Sequence, residues 1–600
     1  MKQFFLTMAA VFAGLMVFFV VVPFVIITML IGAASKPQDG TPARAVLQLD
    51  LRQGLTDQDP QNPFAMFGGS GMSVVSVTRT LRHAETDRKV KAIFVRLPEG
   101  GMPPAAADEL RLAFLHFRSS GKPIWAHSQG LYPSGVVTST YMLGAAANQL
   151  WMQPDSAFQA TGLASEDIFF KRFFDKYGIR ADFEQRQEYK NAVNPYLFSD
   201  YTPAHRESSL SWMGSIYRTA LLTAARDRKK EPLAFARLFE AGPYSAEDAR
   251  AKGLIDRVGQ VREAADALIA ATDKRAELVD FSDYMSHVTT LDNAAGALGG
   301  KPAIAVIGAE GPIMTGRGGG GNPFSADETV WSDDVAEAFY EAIEDKDVKA
   351  IVFRVSSPGG SDTASEQILA AVKAARAANK PVVVSMGTYA ASGGYWISSQ
   401  ANEIVAQPTT LTGSIGVYGG KFALGEALSR FGIDVRETAV GGDYANAFGA
   451  SEGFNPTQRA AFAGWMDRIY EGFVKRVAEG RRLPPARVRE IAKGRVWTGV
   501  QARQLGLVDR IGGFYDAVDR AKALAGVKGE VRLKMIGAPS SPFEALEKFF
   551  GVSSTSVRTL AAVAWVMGDP RADAILDELA TARLRSTPSG AAVLAPTPVD

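Results

Sequence analysis

The chain has 600 residues, 46% of them hydrophobic and 22% charged, which excludes both a small single-core domain and a largely disordered protein. Its formal net charge of +1 gives no reason to expect nucleic acid or another polyanion as a partner. The absence of cysteine excludes disulfides, thiolate catalysis and metal sites with cysteine ligands, and we expect no cofactor and no metal.

The first predicted element, within residues 1–36, is a single transmembrane helix. Residues 4–34 carry no charged side chain, and this run exceeds the about 20 apolar residues that span a bilayer. The apolar core of a cleavable signal is shorter, so we expect a retained anchor, although small residues at the end of the run leave cleavage open. Lys2 favours a cytoplasmic amino terminus and an extracytoplasmic remainder, whereas Lys36 and Arg44 weaken this orientation.

The middle of the chain contains an internal duplication. The segment KAIFVRL at 91–97 returns as KAIVFRV at 349–355, a shift of 258. The segment FFDKYGIRADF at 173–183 returns as ALSRFGIDVRE at 427–437, a shift of 254. Further segments between these keep one of the two shifts, which indicates two copies of one fold rather than chance similarity.

Each copy alternates short β-branched runs with amphipathic stretches. In the second copy AIVFRV, KPVVVSM and EIVAQ have the composition of strands, while SEQILAAVKAARAAN and GGYWISSQA between them have that of helices. This order predicts an α/β fold with parallel sheets and crossover helices. We expect the copies to span 43–290 and 301–536, and residues 537–600 to form a peripheral tail. The glycine-rich stretch 316–322 lacks the lysine of a phosphate loop and is interpreted as a linker.

A candidate nucleophile lies where a predicted strand meets a predicted helix. In YAASGGYWIS, small residues leave the backbone open around Ser392, and a helix beginning at Gly393 would direct its first N–H groups at the group that the serine attacks. In the preceding VSSPGGS, Gly359 could donate a second hydrogen bond to an oxyanion. Tight packing of small residues remains an alternative explanation for the first stretch, and an ordinary strand-to-helix turn remains one for the second.

The general base cannot be a histidine of the second copy, because all five histidines lie within the first 287 residues. A lysine can take this role when burial lowers its pKa toward neutrality. Most lysines are solvated surface charges, so a candidate needs a special context.

These motifs resemble the bacterial signal peptide peptidase A family. AASGGYWIS, the SPGG turn and TLTGSIGV at 410–417 match its motifs, and the tandem copies with an N-terminal anchor match its long form. The resemblance implies a Clp/crotonase-like fold in each copy, with Ser392 as the nucleophile. It also implies that Lys190, in YKNAVNP at 189–195, is the general base and that Ser414 orients the lysine amine.

Alignment of the two copies supports a composite site. Sliding YKNA onto YANA places Lys190 opposite Ala445. Aligning STYMLGAAAN with GGYWISSQAN places Thr138 opposite Ser392, but requires a gap of four, whereas an ungapped shift pairs Ser134 with Ser392. On either alignment one copy supplies the serine and the other the lysine.

The resemblance implies a membrane-anchored serine endopeptidase that degrades cleaved signal peptides and similar apolar peptides. It further implies a homotetramer at the bacterial inner membrane, with its catalytic domains on the periplasmic, extracytoplasmic side. We expect the site to be deep and apolar, with Tyr395 and Trp396 among its lining. A crotonase-like acyl-CoA enzyme and a non-catalytic membrane scaffold remain alternatives.

Overall fold

The structure is a computed structural model, and it describes residues 41–59, 72–298, 301–318 and 329–537. The predicted transmembrane segment, most of the glycine-rich stretch and the predicted tail beyond 537 lie outside these residues. Within the described ranges, no helix is both long and apolar enough to cross a bilayer.

The first copy builds a six-stranded parallel sheet in the order β8-β4-β3-β2-β1-β9. Its strands are β1 (Ala45–Asp50), β2 (Val90–Arg96), β3 (Ile124–Ser128), β4 (Gln149–Met152), β5 (Ala157–Phe158), β6 (Arg180–Gln185), β7 (Tyr244–Ser245), β8 (Arg257–Val258) and β9 (Glu277–Asp280). Its helices are α1 (Val74–Thr86), α2 (Pro104–Ser119), α3 (Val137–Ala145), α4 (Lys171–Tyr177), α5 (Asn194–Leu197), α6 (Pro203–Asp227), α7 (Pro232–Glu240), α8 (Ala246–Ala251), α9 (Val261–Thr272) and α10 (Phe281–Leu298).

The second copy builds an eight-stranded sheet along β18-β16-β14-β13-β10-β20, with β15 paired to β14 and β19 paired to β15. Its strands are β10 (Ala303–Glu310), β11 (Ile313–Met314), β12 (Val330–Trp331), β13 (Val348–Ser357), β14 (Val382–Ala391), β15 (Glu403–Ala406), β16 (Leu411–Gly413), β17 (Tyr418–Ala423), β18 (Val496–Thr498), β19 (Arg510–Ile511) and β20 (Arg532–Ile536). Its helices are α11 (Ser332–Glu344), α12 (Asp362–Ala377), α13 (Gly393–Ser398), α14 (Gly425–Ser429), α15 (Pro456–Arg481), α16 (Pro485–Ile491), α17 (Gly499–Gln504) and α18 (Phe514–Leu524).

The predicted α/β fold and its strand–helix order are confirmed. The central strands β2 and β13 are almost fully buried, as expected for parallel strands that helices cover on both faces. Each copy has a large apolar core of its own. Both sheets lie inside the predicted copies, 43–290 and 301–536, whose limits stay a prediction.

Matching contacts in the two copies support the alignment with the gap of four. Tyr141 and Tyr395 differ by 254, and each hydroxyl donates at 2.8 Å to a leucine carbonyl just beyond a short helix. Thr138 and Ser392 each lie three residues before that tyrosine. The two sites are therefore structural counterparts.

A two-stranded ribbon joins the copies. Strand β6 of the first copy pairs antiparallel with β17 of the second, with Tyr418 opposite Gln185 and Ala423 opposite Arg180. The chain after β6 continues along the second copy, because the N–H of Arg186 donates at 2.9 Å to the carbonyl of Val417. A segment of the first copy is thereby held against the second.

A buried cluster of charges also joins the copies. Arg354, on β13, is 1% exposed and forms ion pairs with Asp57 at 2.6 Å and Glu109 at 3.1 Å, both from the first copy. A buried charge without its partner is strongly unfavourable. The cluster therefore fixes how the two copies sit against each other.

Candidate active site

Ser392 lies at the junction of β14 and α13. Its N–H donates at 2.9 Å to the carbonyl of Gly413, and its own carbonyl accepts from the N–H of Trp396. Its backbone has φ 53° and ψ −118°, a conformation that residues other than glycine rarely adopt. Such strain costs about 1–3 kcal/mol and is concentrated at functional sites. The predicted helix start at Gly393 is confirmed.

Lys190 reaches this junction from the first copy, just after the ribbon strand β6. The N–H of Tyr189 donates at 3.1 Å to the carbonyl of Lys493, which fixes the segment against the second copy. Two glycines of the second copy leave space for the lysine. A Cβ added to Gly494 would lie 2.6 Å from the backbone nitrogen of Lys190. A Cβ added to Gly416 would lie 3.2 Å from the Lys190 Cδ.

The Lys190 Nζ lies 3.0 Å from the Oγ of Ser392. It also lies 2.9 Å from the Oγ of Ser414 and 3.1 Å from the Ser414 carbonyl oxygen. A neutral amine has two N–H groups and one lone pair. It can donate to both Ser414 oxygens and still accept the proton of the Ser392 hydroxyl, which is the arrangement that a general base requires.

The electrostatic environment favours the neutral amine. Lys190 is only 4% exposed, and this burial lowers its pKa to about 7. Lys493 contrasts with it: that side chain is 41% exposed, and its hydrogen bond and ion pair with Glu188 raise its pKa. The ring centroid of Tyr418 lies 5.9 Å from the Lys190 Nζ. A group with pKa near 7 can exchange protons in both directions at neutral pH.

Backbone N–H groups of glycines lie close to Ser392. Gly393 begins α13. The backbone of Gly359, which has φ +106°, approaches it closely, because a Cβ added to Gly359 would lie 2.6 Å from the Gly393 backbone nitrogen. The Gly359 N–H itself donates to the Oγ of Ser357 at 3.2 Å. The N–H of Gly360 has no acceptor among the described residues, and its nitrogen would lie 3.1 Å from a Cβ on Gly393.

Gly360 is therefore a donor that the sequence analysis missed. The SPGG motif indicated a glycine N–H donor, but the sequence alone does not distinguish its two glycines. The role of Gly359 stays a prediction, and it would require the Ser357 contact to be exchanged for the oxyanion.

Contrary to the prediction, Tyr395 and Trp396 do not line the site around Ser392. Tyr395 is fully buried, with its hydroxyl bonded to the Leu507 carbonyl at 2.8 Å. Trp396 is 5% exposed and packs on Phe473 with a centroid distance of 4.6 Å. Successive side chains of a helix point to different faces. On α13, the side chains of Tyr395 and Trp396 both pack into the core of the second copy.

The equivalent place in the first copy is closed. Thr138, the second residue of α3, is buried, and its Oγ1 has no hydrogen-bond partner among the described residues. The N–H of Gly101, the counterpart of Gly359, donates at 2.5 Å to the carbonyl of Ser134. Ser134 belongs to the loop that is four residues longer in this copy. The longer loop thus engages the N–H that corresponds to that of Gly359.

The duplicated α/β fold, with a serine at a strand–helix junction that backbone donors surround, defines the class of the protein as a serine protease. The family model described as Peptidase family S49 matches residues 116–275 and 374–528, one segment in each copy. The chain belongs to peptidase family S49.

Curated relatives agree over most of the chain. Protease 4 from Salmonella typhi is 34% identical over 527 residues, 84% of this chain and 81% of its own. Protease 4 from Haemophilus influenzae is 31% identical over 471 residues, 76% of this chain and 73% of its own. Serine protease SPPA, chloroplastic, from Arabidopsis thaliana is 30% identical over 527 residues, 86% of this chain and 75% of its own. The predicted relation to the tandem form of the signal peptide peptidase A family is confirmed.

Proposed function

We propose that the protein is a membrane-anchored serine endopeptidase with Ser392 as nucleophile and Lys190 as general base. The observation that carries this proposal is the 3.0 Å contact between the Lys190 Nζ and the Ser392 Oγ, made by an amine whose burial lowers its pKa to about 7. General bases act best when their pKa lies near the working pH.

In the acylation step, the Oγ of Ser392 bonds to the peptide carbonyl carbon while its proton passes to the Lys190 Nζ. The carbonyl oxygen becomes an oxyanion, which accepts hydrogen bonds from the N–H of Gly393 and from Gly359 or Gly360. The C–N bond then breaks, and the lysine ammonium gives its proton to the departing amine.

In the deacylation step, a water attacks the acyl ester and gives its proton to Lys190. The ester bond breaks, and the proton returns to the Ser392 oxygen. Ser414, whose Oγ and carbonyl both accept from the lysine amine, keeps the lone pair directed at the nucleophile.

The proposed substrates are cleaved signal peptides and similar apolar peptides. The uncharged segment 4–34 would hold the site at the bilayer, where such peptides are released. We place the catalytic domains on the periplasmic side of the bacterial inner membrane and propose a homotetramer, on the family resemblance. The serine protease relatives give no support to an acyl-CoA enzyme or to a non-catalytic scaffold.

The catalytic proposal is tested by Ser392→Ala, with Thr138→Ala in the first copy as the matched control. Peptide hydrolysis should be lost in the first variant and kept in the second, while the thermal midpoint changes little in the first. A Ser392→Ala protein that still cleaves peptides at the wild-type rate rules out the nucleophile.

The membrane proposal is tested separately by fractionating cells that express the full chain or a form lacking residues 1–36. We expect the full chain with the membranes and the shortened form in the soluble fraction. Cleavage of a synthetic apolar signal peptide is then compared with that of a charged peptide of equal length. Equal rates on both peptides contradict the substrate proposal without affecting the dyad.

A further inference from the structure

The ribbon that joins the two copies uses only half of the segments that the duplication provides. At the shift of 254, strand β6 corresponds to residues 434–439, and strand β17 corresponds to residues 164–169. Strand β6 of the first copy pairs with β17 of the second. The reciprocal pair, 434–439 with 164–169, is not formed within the chain, and neither segment has regular secondary structure.

Both unpaired segments are exposed although they carry large apolar side chains. The exposed fractions reach 71% for Ile168, 52% for Ile433, 40% for Val435 and 94% for Val440. The sequence IDVRETAV at 433–440 alternates apolar and polar residues over its first positions and is rich in β-branched residues, as a strand is. Exposed apolar segments of this kind mark interaction sites.

The chain enters the two equivalent segments in the same way. Helix α4 ends at Gly178, which has φ +76° and leads into β6. Helix α14 is followed by Gly432, which has φ +74° and leads into 434–439. The backbone is thus set for a strand at both places, and within the described part of the chain only the first has a strand partner.

We propose that residues 434–439 of one chain pair antiparallel with residues 164–169 of a second copy of the same chain. In the register of the internal ribbon, Ile168 lies opposite Val435 of the partner subunit. Asp167 then lies opposite Arg436 of the partner subunit. The internal ribbon has the same kind of charge pair at this position, since Lys421 lies opposite Asp182.

The contact joins two different surfaces, so it is head-to-tail, and a closed ring results if the rotation between subunits closes. Each chain gives 434–439 to one neighbour and receives the same segment from the other. The proposal specifies the interface for the proposed homo-oligomer and does not depend on the peptidase chemistry.

The junction between subunits holds no dyad. The operation that places Lys190 against Ser392 within the chain places Ala445 of the partner subunit toward Thr138, and an alanine side chain offers no base to activate the threonine hydroxyl. The Ser134 carbonyl already accepts from Gly101 at that place. The ring therefore has one site for each chain, located at the junction inside the chain.

The register is tested by disulfide formation between Ile168→Cys and Val435→Cys in the full chain in detergent. The chain has no cysteine, so every cross-link comes from the introduced pair. Directly opposed residues of an antiparallel pair have Cβ atoms about 4.5–5.5 Å apart, close to what a disulfide needs. The double variant should give a ladder of linked chains under mild oxidation, and a mixture of the two single variants should give linked dimers only.

The control pairs Ile168→Cys with Val440→Cys, since Val440 is more exposed than Val435 but lies five residues out of register. It should give little cross-linking. Equal cross-linking of the control, a cross-link within one chain, or no cross-link overturns the proposal. If this surface instead docks on a lipid bilayer, no cross-linked ladder forms, and that result also overturns the proposal.

The charge pair gives a second measurement by sedimentation in detergent. Asp167→Arg and Arg436→Asp should each lower the assembled mass, and the two changes in one chain should restore it. Tyr201→Phe controls for the hydrogen bond that Asp167 accepts from the Tyr201 hydroxyl. Because the dyad is complete within one chain, peptide hydrolysis distinguishes failure of this interface from failure of the proposed chemistry. Unchanged mass in both single variants contradicts the register.

Discussion

Replacing Lys190 with methionine should remove peptide hydrolysis and, at the same time, stabilise the folded protein below pH 7. Methionine fills a similar volume without an amine that must be desolvated. Burial lowers the pKa of Lys190 to about 7 from the ordinary lysine value of 10.5. That difference corresponds to about 5 kcal/mol of unfavourable free energy for the charged form. The hydrogen bonds lost at Ser392 and Ser414 offset about 1–3 kcal/mol of it.

The gain in stability depends on pH in a direction that the linkage relation fixes. Because the folded pKa of Lys190 is the lower one, the unfolded chain binds more protons between about pH 7 and pH 10.5. Wild-type stability therefore rises with pH across this window. Below pH 7 both states hold the proton and the whole penalty remains. The variant should thus exceed the wild type most below pH 7, and the advantage should disappear toward pH 10.5.

The measurement is the thermal midpoint of both proteins at pH 6 and pH 9, followed by tryptophan fluorescence. At pH 6 we expect the variant to melt roughly 5 °C or more above the wild type. Lys493→Met is the control, because that side chain is 41% exposed and its pKa is raised by Glu188. A Lys190→Met protein that melts below the wild type at pH 6 refutes the burial argument, and one that still hydrolyses peptides refutes the dyad.

Four further outcomes follow from the contacts described above. The wild-type kcat/KM should rise about tenfold per pH unit below about pH 7 and level off above it, because only neutral Lys190 accepts the proton; a flat profile on an uncharged peptide contradicts this. Ser414→Ala should lower kcat about tenfold with little change in KM, since it removes one hydrogen bond from the amine, and Ser414→Thr should restore part of the loss. Gly494→Ala should lower kcat/KM about 100-fold by displacing Lys190, whereas Gly526→Ala, also at positive φ but with open space around it, should not. Arg354→Met should destabilise the protein by about 3–5 kcal/mol, because two buried carboxylates lose their partner; an unchanged thermal midpoint speaks against the cluster as a tie between the copies.

The features that sequence predicted best are those that local patterns determine. The strand–helix order of the second copy follows from apolar spacing, and the start of α13 at Gly393 follows from a run of small residues after a β-branched strand. The composite nature of the site followed from comparing the copies, since one lacks the serine at Thr138 and the other lacks the lysine at Ala445.

The features that sequence did not predict depend on partners far along the chain. Nothing local to β6 shows that it pairs with β17, more than 230 residues later. The buried partners of Arg354 lie in the other copy. Gly359 and Gly360 look alike in sequence, but only coordinates show that the Ser357 hydroxyl already accepts from the first of them.

The crossing of β6 onto β17 has a consequence for the history of this chain. When each repeat of a duplicated enzyme carries a complete active site, loss of one repeat leaves the other site active. Here the amine and the hydroxyl come from opposite repeats, so on the proposed mechanism a deletion of either repeat should remove all turnover. Selection for that activity would then act on both repeats together.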